Sequence, residues 1–227
     1  MKIDGHNRKC IFHEIQLAGD RIMLNPTSPL EFEKFYKQIV AGNTLRAFHR
    51  IDKNATGPRE IVRDFIFSSK DKIINGLKNV QITEDIDFLS NELYKELKSQ
   101  LAKNVRKDIL DNYNAVRKLV DLILEHVALI AKELNDYRHQ IIGFLRVPLD
   151  SYILNSDSLF SYNERKKFNL GASGGGFSRI KNEEQYYSVQ AHLIQVAKSC
   201  ETIYPIYFDV LWRDRINYQF NLINQKS

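Results

Sequence analysis

The chain has 227 residues, of which 43% are hydrophobic and 27% charged, enough apolar surface for a real core in one large domain or two small ones. With 10 Gly and 5 Pro, long disorder and repetitive fibres are excluded. The formal net charge is +5. No apolar run approaches the roughly 18 residues that span a bilayer, and Met1-Lys2-Ile3-Asp4-Gly5-His6 lacks the apolar core of a signal peptide. Cys10 and Cys200 are too few for a disulfide scaffold and form no CxxC spacing. These features lead us to expect a soluble, cytoplasmic protein without a membrane association.

In chain order, Cys10 to Leu24 reads as a strand pair. Ile11, His13, Ile15 and Leu17 alternate, Ala18-Gly19-Asp20 makes a turn, and Ile22 and Leu24 follow. Asn25-Pro26-Thr27-Ser28-Pro29 opens a helix capped by Ser28 that carries Phe32, Phe35, Tyr36 and Val40 and ends at Gly42. A second helix runs from Gly57-Pro58 through Ile61, Val62, Phe65, Ile66 and Ile73 to Gly76. A third begins at Thr83-Glu84-Asp85, with acids at the positive end of its dipole, and continues to Leu101.

The strongest periodicity lies in Asn114 to Leu134, where Val116, Leu119, Val120, Ile123, Val127, Ala131 and Leu134 share one face. Asp150 caps a short helix through Tyr152, Ile153 and Leu154. Asn169 to Ser178 holds four glycines and reads as a loop. Two helices, Asn182 to Cys200 and Tyr204 to Leu222, close the chain. The fold class is mainly α with a small N-terminal β-hairpin: residues 1–27 form the hairpin extension and residues 28–227 one helical domain.

The basic residues are clustered. Lys95 to Lys118 contains seven basic residues against three acidic ones, a net of +4, and Asn163 to Lys181 has five against one, also +4. The remainder is therefore at −3. Clustered Lys and Arg release condensed counterions when they neutralise phosphates, so a polyanion partner is expected. Two solvated helix faces would give the same count.

Several chemistries find no signature. The six histidines make no HExxH or other paired spacing. Gly171-Ala172-Ser173-Gly174-Gly175-Gly176 is followed by Phe177-Ser178-Arg179 instead of the Gly-Lys-Ser/Thr of a phosphate-binding P-loop. We expect no metal and no cofactor.

Lys118 opens the long amphipathic helix in Arg117-Lys118-Leu119-Val120, and Asp150 stands 32 residues later in Val147-Pro148-Leu149-Asp150-Ser151-Tyr152-Ile153. Tyr187-Ser188-Val189-Gln190 and Pro205-Ile206-Tyr207-Phe208-Asp209-Val210-Leu211-Trp212 follow. Together these resemble the helix-hairpin-helix DNA glycosylase superfamily, in particular archaeal 8-oxoguanine DNA glycosylases, over about Lys107 to Phe220. The resemblance implies a two-lobed helical bundle with a cleft between the lobes. It also implies base-excision repair of double-stranded DNA carrying an oxidised purine, in the cytoplasm and associated with the nucleoid.

In that reading Lys118 is the Schiff-base nucleophile and Asp150 the proton-transfer and charge-stabilising carboxylate. Asp209 and Trp212 hold the damaged base, and Arg106, Lys107 and Arg117 contact phosphates. Trp212 sits one residue closer to its acid than the family pattern, and Leu101 to Lys118 contains no glycine, Asn112-Tyr113-Asn114 being its only turn-like stretch.

Excision breaks a C1′–N bond through a cationic state, so a neutral amine, a carboxylate and a pocket for a flipped base are the groups it requires. Each residue also has a plainer reading. Lys118 lies opposite the apolar stripe of its helix, as a solvent lysine would, although Leu122 and Leu129 share that face. Asp150 is also an N-cap, and Lys132 is a rival nucleophile. The alternative function is a non-catalytic DNA-binding helical protein of the same fold.

Overall fold

A computed structural model describes residues 5–21, 45, 48–171, 179–199 and 204–211. The protein is mainly helical and divides into two compact units, Met1–Asn25 with Arg146–Ser227, and Pro26–Leu145. None of the described helices is long and apolar enough to cross a membrane. The expected helix over Ser28 to Gly42 lies outside the described residues.

The first arm of the expected N-terminal hairpin lies in a helix, α1 (Gly5–Gly19), while Ile22 and Leu24 of the second arm lie outside the described residues. Its buried side chains are Phe12, Ile15 and Ala18, a spacing of three, whereas Leu17 is 52% exposed. The alternation of Ile11, His13, Ile15 and Leu17 is thus not a pattern of burial. What fixes the helix is tertiary. The Phe12 ring lies 6.1 Å from that of Phe208, and the Tyr207 hydroxyl donates to Asp20 Oδ1 at 2.8 Å. Burial, reinforced by that bond, pushes the Tyr207 phenol well above its ordinary pKa. Helix α1 belongs to the same compact unit as the C-terminal segment.

The unit built from Pro26–Leu145 starts, in its described part, with a single antiparallel bridge between Arg50 and Val105. The Ile51 amide donates to the Asn104 carbonyl at 2.8 Å and the Arg106 amide to that of His49 at 3.0 Å. The helix expected from Pro58 to Gly76 is two helices, α2 (Pro58–Ser68) and α3 (Lys70–Lys78). The break falls at Ser69, whose amide still donates to the Phe65 carbonyl at 2.9 Å.

Helix α4 (Thr83–Leu101) begins where expected. Asp85 accepts from the amides of Gln81 and Ile82 at 2.9 and 3.0 Å. Those backbone bonds hold its carboxyl below the ordinary carboxylate range. A one-turn helix, α5 (Lys107–Leu110), and α6 (Tyr113–Ile130) follow. Asn112 caps α6 by accepting from the Ala115 amide at 3.2 Å.

At the other end of α6 the buried Arg138 guanidinium, on α7 (Arg138–Ile141), donates to the Ala128 and Ala131 carbonyls at 3.1 and 3.4 Å and to Asn135 Oδ1 at 2.9 Å. A cation here satisfies carbonyls that the helix end leaves without partners. Its burial lowers the Arg138 pKa from the usual arginine value.

In the other unit, α8 (Ser151–Asn155) and α9 (Tyr162–Lys167) are short, and α10 (Glu183–Lys198) is the long element. Tyr186, Val189, Leu193 and Ala197 put one stripe of α10 in the core. A 3-10 turn over Pro205–Asp209 buries Ile206, Tyr207 and Phe208. The rest of the closing helix expected to Leu222 lies outside the described residues.

Gly19 marks the tightest approach in this unit. A Cβ placed there would lie 2.3 Å from Cδ2 of the Tyr207 ring. Alanine normally stabilises a helix over glycine by about 0.5–1 kcal/mol. Gly19→Ala is instead expected to destabilise the protein by about 1–3 kcal/mol, as overpacking does, and thermal or denaturant unfolding reads the sign directly.

Candidate functional site

Helix α6 carries Arg117 and Lys118. Of its residues, only Tyr113, Lys118, His126 and Ile130 are not buried. It is thus packed on several sides, with Leu122 and Leu129 buried at 7% and 2% beside the expected apolar stripe. Lys118 is half-buried in the second turn of this helix. The rival Lys132 is exposed and lies past its end, in a 3-10 turn over Lys132–Leu134 that begins where Ala131 leaves helical geometry.

The expected phosphate contacts separate on inspection. Lys107, the first residue of α5, is exposed. Arg106 is exposed and forks onto Asp108, with Nε and Nη2 at 3.1 and 2.8 Å. Arg117 is fully buried, donates to Asn91 Oδ1 at 2.5 Å and pairs with Asp121 at 3.3 Å. As placed, Arg117 is an interior residue and not a surface cation, and this corrects its expected role as a phosphate contact. Its neighbours on α6, Asn114, Asp121 and Glu125, are buried as well. The helical period places the four on one polar stripe.

Asp150 belongs to the other unit. It is 6% exposed and caps α8, its Oδ1 accepting from the amides of Tyr152 and Ile153 at 2.8 and 3.0 Å. The segment that carries it is held by a residue that sequence reasoning gave no role. The Gln190 side chain, 1% exposed on α10, donates to the Val147 carbonyl at 2.8 Å and accepts from the Val147 amide at 3.2 Å. One amide group thus supplies both bonds that a neighbouring strand would. A buried polar residue on the apolar face of a helix was the available signal. Arg146 adds a contact, its guanidinium lying 5.8 Å from the centre of the Tyr187 ring.

Asp209 is 3% exposed and ends the Pro205–Asp209 turn among buried aromatics. Trp212 lies outside the described residues. Among the described residues, no group of three or more His, Cys, Asp or Glu side chains is placed to hold a metal ion. Comparison with protein-family models, with curated proteins and with solved structures finds no match.

Two stability measurements test this assignment of roles. Gln190→Met keeps the volume but leaves the buried Val147 amide and carbonyl without those partners. It is expected to cost about 2–6 kcal/mol, at about 1–3 kcal/mol per orphaned group. Arg117→Met leaves the Asp121 carboxylate buried without its cation and is expected to cost about 3–5 kcal/mol in denaturant unfolding. The double variant Arg117→Met/Asp121→Leu should recover much of that loss. A single variant as stable as the parent would return Arg117 to the surface.

Proposed function

We propose that the chain is a base-excision DNA glycosylase with AP lyase activity, acting on an oxidised purine, 8-oxoguanine, in double-stranded DNA. A protein with that activity works in the cytoplasm, on the nucleoid. The fold implied is the helix-hairpin-helix glycosylase bundle. The observation that carries the reading is the setting of the two residues 32 positions apart. Lys118 is a half-buried amine on a helix otherwise largely committed to the interior. Asp150 is a buried carboxylate oriented by two amide donors and seated on a segment fixed by Gln190.

In the proposed reaction the neutral Lys118 amine attacks C1′ of the damaged nucleotide. The C1′–N bond breaks, its electron pair leaves with the base, and the base takes up a proton. Positive charge develops on the sugar in the transition state, and the Asp150 carboxylate offsets it. The C1′–O4′ bond then breaks, its electron pair going to O4′, which takes up a proton from water, and the nitrogen lone pair of Lys118 closes the C1′=N Schiff base. Asp150 then serves as the acceptor of a C2′ proton, and the 3′-phosphate departs by β-elimination. Asp209 and Trp212 are assigned to the flipped base. Lys107 is the exposed candidate for phosphate, with Arg106 available on release from Asp108.

Borohydride trapping on an 8-oxoguanine duplex and on an abasic duplex tests the reading. Wild type should form a covalent adduct that Lys118→Gln abolishes. Asp150→Asn keeps an N-cap of equal quality, so the fold should persist while base release falls by about 10²-fold or more. An adduct that survives in Lys118→Gln would move the nucleophile elsewhere. Intact DNA binding with neither adduct nor base release would leave the non-catalytic alternative.

A further inference from the structure

The second basic segment, Asn163 to Lys181, is not used by the chemistry above. Among its described residues, Lys167, Asn169, Gly171, Arg179 and Lys181 border, with Glu184 and others, an open cavity of about 670 Å³. Three cations against one carboxylate give its rim a net positive charge. A second cavity of about 310 Å³ shares Asn169 and Gly171 and adds Lys166 and Tyr162. Tyr162 is 70% exposed, unusual for a ring of that size.

The cavity walls are held by the fold. Gln185 on α10 donates through Nε2 to the Phe168 carbonyl at 2.8 Å and accepts from the Lys181 amide at 2.7 Å, tying the Lys167 side to the Lys181 side. The Gln185 amide in turn donates to Asn182 Oδ1 at 2.9 Å. Between the two cavities, Asn169 and Gly171 both have positive φ, 54° and 73°. Leu170 between them is fully buried and anchors the turn. The Arg179 guanidinium packs against Gly171, where an added Cβ would lie 3.2 Å from it.

We propose that these paired cavities bind an unpaired stretch of nucleic acid, the backbone phosphate seated among Lys167, Arg179 and Lys181 and a neighbouring base stacked on Tyr162. Cations following a backbone beside an exposed aromatic are the two elements that single-strand binding requires. Lys166 supplies a further cation on the Tyr162 side. The inference rests on the DNA reading of the chain but not on excision, which uses other residues.

The test is the affinity of the full chain for a fluorescein-labelled single-stranded 12-mer, by anisotropy across a salt series. Lys167→Gln/Lys181→Gln should weaken binding at least tenfold at about 0.1 M salt. It should also flatten the dependence of log K on log salt by about 1.4, at roughly 0.7 per phosphate contact on a single strand. Tyr162→Ala should weaken binding about 5- to 100-fold, and Tyr162→Phe should restore it, because stacking needs the ring and not the hydroxyl. Lys198→Gln, an exposed charge loss at the far end of α10 about 23 Å along the helix, is the control and should change little.

Affinity unchanged in the double variant, or Tyr162→Ala matching wild type, would overturn the proposal. So would saturation by millimolar inorganic phosphate without oligonucleotide binding, which marks a small-anion site. Loss of single-strand affinity in these variants with no borohydride adduct in wild type would leave this site standing and remove excision. A normal adduct with single-strand affinity unaffected would do the reverse.

Discussion

Helix α6 bears a constraint on which the rest of its unit depends, because it buries a full ion pair. Arg117 and Asp121, one turn apart, have side chains exposed by 0% and 1%. Taking two charges out of water costs several kcal/mol each, and the loss is offset only when both find good partners. The helix must therefore sit where Asn91 on α4 can meet the Arg117 guanidinium, so α4 and α6 are set in register by a polar contact as well as by apolar packing. Apolar side chains tolerate a shift of register that this pair does not. At its end the same helix passes its last carbonyls to Arg138, a second buried cation. With so much of α6 committed to the interior, the half-buried Lys118 is one of the few side chains it leaves within reach of solvent.

The other unit reaches a comparable fixity with neutral groups. Gln190 replaces a missing strand for Val147, and the residues that follow, Pro148 and Leu149, lead directly into the Asp150 cap. Gln185, five residues earlier on α10, does the same for Phe168 and Lys181. A single helix thus positions two separate polar features through side-chain amides, each offering a donor and an acceptor in one plane. Rotating α10 would release both.

What could be read from the sequence follows from how local the determinant is. The starts of α4, α8 and α10 were legible because Asp85, Asp150 and Asn182 act on amides two to four residues away. The start and two-sided packing of α6 were legible, the latter from Leu122 and Leu129, but not its end, since it stops at Ile130 and the apolar period runs on through Ala131 and Leu134. The N-terminal helix was not, since Gly19 looks like a turn residue until the Tyr207 ring, 188 positions later, is placed against it. The break at Ser69 carries no glycine or proline to announce it. Among the candidate site residues, Arg117 was misread because it lies next to Lys118 in the chain, while 100° of helix separates their directions. Gln190 was within a recognised motif, yet its role depends on Val147, a backbone partner that no side-chain pattern encodes.

The same distinction decides how the charge of the two basic segments should be weighed. Counted along the chain they are equal at +4. In the structure, four of the seven cations of the first have partners within the chain. Arg117 is buried against Asp121, Arg106 forks onto Asp108, Lys95 lies 3.7 Å from Glu92, and Lys98 reaches the Tyr94 hydroxyl at 3.4 Å. The second pairs Arg165 with Asp157 and the Asn155 carbonyl, and Lys166, Lys167, Arg179 and Lys181 line two adjoining cavities. Field strength depends on where charges converge and on how much low-dielectric wall surrounds them, more than on their number. By that measure Lys167, Arg179 and Lys181, which border one cavity, weigh more than their number along the chain suggests.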